Sequence, residues 1–393
     1  MNRVKTLPHD QIKKAERVTF MDGIRGWAAI TVLFYHYLLS FYPALFTLDD
    51  PYFHTTSHFE AKITLTPFNI FYSSGFAVCL FFVISGFALS YGFFASKNIQ
   101  IVTASAIRRY FRLSIPILFS VFVSYVIIII HQYYNAITAQ YSNNTFWLSQ
   151  LWNVVPDFSD MLKEGTFTSL FIGGTLKYNS VLWTMSIEFL DSIIVFAILA
   201  LFGTTRNRFW IYALLIIIFH TGYLAAFIIG LALCDHYHSR QKKNLPGYLL
   251  ILIFIAAFYF GSYQDIGKNT IWNRLDWLTN IDRSYPFIIG ASLFVFGAIN
   301  SPWIQGVFNS KPIQFLGKIS FSLYLLHLSI LGSFGCFFFN LLYAQLHLGY
   351  FLSFILMFTV ALPVTIVASY MMYRYIDLTG INFSKSFYKK FFK

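Results

Sequence analysis

The chain has 393 residues, of which 57% are hydrophobic, 21% aromatic and only 11% charged. A soluble domain of this length does not need so much apolar surface, and the apolar residues fall in blocks of membrane-crossing length. The net charge of +12 sits in short loops rather than in a basic domain, so it reports orientation in a bilayer and excludes nucleic acid as an expected partner.

The predicted class is all-α: a polytopic integral membrane protein with about ten transmembrane helices. In chain order the spans are 22–42, 72–94, 113–131, 181–202, 247–261, 285–300, 319–345 and 350–374, with an ambiguous run at 209–234. The first block follows a polar N-terminal stretch and precedes no small-residue cleavage site. It is therefore expected to stay as a span rather than be removed as a signal peptide. Lys and Arg set the sidedness. Of 28 such residues, 21 fall in the two ends of the chain and in the loops near Lys97, Arg206, Arg240 and Lys311. The positive-inside rule makes that face cytoplasmic. Both flanks of 209–234 are basic, so an even number of crossings is expected between them. "FHTGYLAAF" interrupts the run, and two short helices that bend back satisfy the count; one long span that breaks the charge rule is the alternative.

The longest outward stretch, 132–180, contains a glycosylation triplet at Asn143. Cys79, Cys234 and Cys336 lie in or beside apolar runs and are expected to be packed thiols, with no metal-binding spacing. The domain reading is a single membrane domain over 1–393: a cytoplasmic tail at 1–20, a helical bundle at 21–375, a second tail at 376–393, and no soluble C-terminal domain.

The first span, "FMDGIRGWAAITVLFYHYLLSFYP", carries Arg25 and His36 in an apolar run. A central Arg costs roughly 2.5–3.5 kcal/mol on insertion scales. At 100° per residue the two share one helix face, with His36 in the outer half of the membrane. Asp22 lies one turn before Arg25 and can pair with it. A snorkelling Arg and a satisfied His are the bland alternative, but intramembrane ionisable groups are functional candidates by default. The fourth span, "NSVLWTMSIEFLDSIIVF", enters from outside and brings Glu188 to the depth of His36. A His held by a carboxylate makes a general base. Asp191 could replace Glu188 in that pairing, and a purely structural His–Glu pair is the competing reading. Ser85 and Gly86 break the aromatic run of the second span, either for close helix packing or for a narrow passage. Arg108, Arg109 and Arg112 in "AIRRYFRLSIP" suit a phosphate-bearing ligand, although topology alone also explains them. Ser320, Tyr324 and His327 share a face of the ninth span, which puts His327 in the inner half, below His36.

At these residues the chain resembles acyltransferase family 3, integral membrane acyltransferases that modify surface glycans. "DGIRGWAAITVLFYH" is similar to the family's opening motif, an Arg and a His with ten residues between them, and "LFFVISGF", "RRYFRL", "LWTMSIEF", "SFSLYLLH" and "YRYIDLTG" follow in the family's order. The chain departs from the pattern at Cys79, Phe321, Asp377 and Thr379. The resemblance implies ten core helices and a catalytic His36 with its motif Arg25 and the acidic Glu188. It also implies acyl-donor binding by Arg108, Arg109 and Arg112; Ser85, Tyr324 and His327 are further donor-binding candidates. The implied co-substrate is acyl-CoA, in the first instance acetyl-CoA, with no bound cofactor and no metal. The implied partners are a carbohydrate acceptor outside the cell membrane and the lipid bilayer itself, and both chain ends are expected in the cytoplasm. A transporter or flippase of a glycan precursor is the rival from another class, since buried Arg, His and Glu and a broken helix pair fit that too.

Overall fold

A computed structural model describes residues 18–55, 57–174, 176–239, 245–264 and 271–392. The basic clusters of the N-terminal tail and of 240–243 therefore lie outside the described residues. Among those described, the chain is all-helical. The longer helices are α1 (Thr19–Phe41), α2 (Ser74–Ser96), α3 (Ile99–Ile129), α4 (Trp183–Phe202), α5 (Arg208–Ile218) and α6 (Leu224–Ser239). They continue with α7 (Gly247–Gly261), α8 (Tyr285–Asn300), α9 (Lys311–Ile330), α10 (Tyr350–Met372) and α11 (Leu378–Phe392).

Five helical stretches are long and apolar enough to cross a membrane, namely 74–96, 99–129, 180–202, 311–345 and 350–392; α8 and the helix Pro302–Phe308 make a sixth if the 102° bend between them lies inside one span. α5 and α7 are apolar but shorter. Over the residues expected to form the second tail, the helix runs on from α10 into α11. α11 lies antiparallel along α3: Gly380 faces Ile115, Phe111 meets Phe383 and Phe387, and Arg108 reaches Tyr388.

Local signals place the helix ends. The Ser73 hydroxyl accepts from the Phe76 N–H at the start of α2, and Asn98 Oδ1 accepts from the Gln100 N–H at the start of α3. Lys97, at φ 55°, closes α2 in the left-handed region, and only Lys97 and Asn98 lie between the two helices. The region 209–234 is a hairpin of α5 and α6. Arg208 at the start of α5 donates to both carboxylate oxygens of Asp235 near the end of α6, which only a reversal of chain direction allows. Gly222 makes the turn at φ +80°, where a side chain would be strained.

Lipid offers little hydrophobic drive for helix association, so close packing matters most. α2 and α6 run parallel in very close contact. A Cβ at Gly86 would strike the Phe227 carbonyl, and one at Gly230 would strike that of Val83. The Gly86 signal therefore reads out as packing. α1 and α9 also run side by side in one direction: the Gln314 amide donates to Thr19 O, Gly26 abuts Gly317, and His36 meets His327. The three cysteines are free and buried. Two clusters of buried apolar side chains fill the bundle, one centred on α2, α4, α6 and α8 and the other on α1, α9 and α10.

Candidate active site

Two adjoining cavities lie between α1, α2, α3, α4 and α9, and they share the lining residues Val78 and Tyr324. The first has a volume of about 140 Å³ and brings together Arg25, Arg109, Arg112, Ser85, Glu188 and Tyr324, with Asp377 from beyond α10. Arg109 and Arg112 are one turn apart on α3 and so point the same way. Arg108 is rotated by about 100° and does not line this cavity. Its Nε donates to Ala104 O at 2.8 Å, and its guanidinium lies over Tyr388. Of the arginine triplet expected to bind the donor, Arg109 and Arg112 thus line this cavity together with Arg25, and Arg108 does not.

Glu188 serves Arg109 rather than His36. Its Oε1 accepts from the Arg109 guanidinium in an ion pair and from the Ser85 hydroxyl at 2.8 Å. Arg109 Nε also donates to Ser192 Oγ at 3.0 Å. Arg109 is buried, and a buried guanidinium left without a partner would be strongly destabilising. Helix geometry explains the correction: α3 presents Arg109 directly to the face of α4 that carries Glu188 and Ser192. Asp191, the alternative partner for His36, has its side chain off that face and lines neither cavity. Arg25 pairs with Asp22 at 4.0 Å.

His36 faces the second cavity, which has a volume of about 430 Å³. Its partner is His327, with His36 Nδ1 3.0 Å from His327 Nε2. The sequence expectation that His327 lies in the inner half, below His36, gives way to contact: parallel packing of α1 and α9 brings the rings together, with centroids 4.9 Å apart. The remaining contacts assign the protons. His327 Nδ1 is 3.1 Å from Leu323 O, so it carries a hydrogen and leaves Nε2 to accept. His36 Nδ1 faces that acceptor and also Val32 O at 2.9 Å, so it carries its hydrogen on Nδ1. Neither ring has a carboxylate partner among the described residues, and two buried neutral imidazoles result. The unprotonated nitrogen of His36 is then Nε2.

Aromatic side chains missed by the sequence reading complete this cavity. Trp147 stacks on His36, with centroids 5.7 Å apart and planes 25° apart, while Trp183 and Tyr223 lie 5.9 Å apart across it. Nothing local marked Trp147, which comes from the outward stretch. Trp183 sits inside a motif that drew attention only for Glu188. Tyr324 stands between the cavities, its hydroxyl donating to Val181 O and meeting Thr184 Oγ1, both at 2.8 Å.

An imidazole with a bare nitrogen, one shared wall away from a cluster of guanidiniums, is the candidate active site. Residues 18–374 match the acyltransferase domain family, and the chain belongs to it, to acyltransferase family 3. It is 24% identical to "O-acetyltransferase PaAT-1" of Phomopsis amygdali, over 96% of this chain and 86% of that protein. It is also 24% identical to "Acyltransferase clz18" of Cochliobolus lunatus, over 83% of this chain and 86% of that protein. No solved structure matches it. The protein is an acyltransferase of the membrane.

Proposed function

We propose that the protein moves an acyl group, acetyl in the first instance, from cytoplasmic acyl-CoA to a hydroxyl of a carbohydrate on the opposite side of the membrane. The observation that carries this reading is the shared wall: the arginine-lined cavity and the His36 cavity adjoin at Tyr324 and Val78. Transfer to oxygen is favoured by the name of one relative, an O-acetyltransferase.

In this reading ten helices, α1 to α10, form one membrane domain with both chain ends in the cytoplasm. The α5–α6 turn supports the ten crossings, since the Gly222 N–H donates to Asp282 in the loop before α8, well away from the Arg208–Asp235 end. Arg112 and Arg25 hold the phosphates of the coenzyme. Arg109, neutralised by Glu188, shapes the passage, so Glu188 acts by positioning. The thioester reaches His36 beside Tyr324. His36 Nε2 takes the proton of the acceptor hydroxyl as the oxygen attacks the thioester carbonyl carbon. The imidazolium is steadied by its Nδ1–H on His327. Collapse of the tetrahedral adduct breaks the C–S bond, and the departing thiolate takes the proton back from His36. Acyl ester and free coenzyme result.

Purified protein in detergent, supplied with acetyl-CoA and a host membrane extract as acceptor, tests this directly. His36→Ala should stop coenzyme release while the protein elutes as the wild type does on size exclusion. Turnover that survives His36→Ala would refute the base assignment, and activity that requires a membrane gradient would favour a transporter.

A further inference from the structure

The two cavities differ sharply in charge. Five of the residues lining the first are Asp, Glu or Arg, whereas none lining the second is Asp, Glu, Lys or Arg. Its polar groups are hydroxyls, from Ser74, Ser180, Tyr35, Tyr223 and Tyr324, together with the imidazole of His36. The rest is apolar: the indole rings of Trp147 and Trp183, with Val32, Gly75, Val78 and Val181. Trp147 lies nearly parallel to His36, while Trp183 remains 39% exposed. Flat indole faces favour the apolar face of a ring, and the hydroxyls can satisfy neutral polar groups. An ionised group brought here would lose its hydration and find no countercharge.

We infer that the second cavity is an acceptor site for an uncharged, hydroxyl-bearing ring compound, clamped by Trp147 and Trp183, and that it rejects anionic acceptors. The inference rests on the proposed roles of acyl-CoA and His36 and narrows the acceptor within them. The ring lies against Trp147, which sets one of its hydroxyls beside His36 Nε2. Trp183 covers the opening. Donor phosphates remain in the charged cavity and never share the space of the acceptor.

The test uses the full-length protein in detergent with acetyl-CoA and a panel of matched ring alcohols that differ only by a carboxylate, such as phenyl β-glucoside against phenyl β-glucuronide. Products are read by the added acetyl mass. Neutral members should be acetylated about tenfold or more faster than their carboxylated twins, the scale of an uncompensated buried charge. Trp147→Ala and Trp183→Ala should raise the acceptor KM about tenfold with the donor KM unchanged, and Trp147→Phe should recover much of the loss. Equal rates on both members of the pairs, product from anionic members only, no product from any neutral member, or an unmoved acceptor KM in both Trp variants would each overturn it. The host-extract reaction separates this failure from that of the underlying reading. Coenzyme release there that depends on His36, with no neutral panel product, sinks the acceptor inference alone. Release that persists in His36→Ala, or that never occurs, sinks the donor-and-base reading.

Discussion

His36 and His327 show how much one hydrogen bond decides. Most general-base histidines lean on a carboxylate, which both orients the ring and steadies its charged form. Here a second neutral imidazole holds the ring through His36 Nδ1. Replacing His327 by Ala should let His36 rotate and exchange tautomers. A fall in kcat of about 10²-fold is expected, with both KM values little changed. His327→Gln, whose amide oxygen can accept from Nδ1–H, should restore part of it; an Ala variant with full kcat would leave His327 a packing residue. The arginines separate in the same way. Arg112 lines the charged cavity and Arg108 lies over Tyr388. Arg112→Gln should raise the acyl-CoA KM about tenfold or more, the worth of a lost charge-assisted bond, while Arg108→Gln should leave it near the wild-type value. Steady-state kinetics against donor concentration checks both.

Among the elements, the α5–α6 hairpin is anchored at both ends. At one end Arg208, Tyr212 and Ser239 surround the buried carboxylate of Asp235. At the other, the Gly222 N–H donates to Asp282 Oδ2 at 2.7 Å, and the Ser284 N–H and hydroxyl donate to Oδ1, both at 2.7 Å. Burial opposes ionisation of Asp282, but these three donors outweigh it and hold the carboxyl below its usual value. A depressed carboxyl stabilises the folded state above its unfolded pKa of about 3.9, and the gain disappears as pH falls through the folded value. Asp282→Asn should therefore lower the melting temperature at neutral pH. It should also flatten the loss of stability seen below about pH 4. Melts of both proteins across pH 7 to 3 measure this, and parallel acid limbs would remove Asp282 from the account.

At the scale of the molecule the bundle sorts charge by depth. Lys97, Arg208 and Arg112 mark one end, while Trp147, Trp183 and the Gly222 turn mark the other. A passage between differently charged ends suits a reaction whose two substrates never meet in one solvent. The proposed even crossing number would place both chain ends together, so reporter tags at the two termini should be protected from an external protease on the same side. Tags on opposite sides would require an odd count and rule out the ten-helix topology.

Much was legible in the chain itself. Blocks of apolar residues announced membrane helices because each backbone must satisfy its own hydrogen bonds in lipid. The basic flanks of 209–234, read with the interruption at His220, Thr221 and Gly222, anticipated the α5–α6 hairpin, and the ordered motifs anticipated the family. These signals are local, set by helix period, hydropathy and loop charge. The partners were not legible. Helical period placed Arg25 and His36 on a face but could not say that Glu188 would meet Arg109, nor that His327 would meet His36. Those pairings depend on the tilt, register and direction of α1 against α9 and of α3 against α4. Close packing at Gly26 and Gly317 settles the first of these contacts in three dimensions, and such contacts leave no period in the sequence. Trp147 shows the same limit: a loop brings it onto His36, and only the folded chain decides where a loop residue comes to rest.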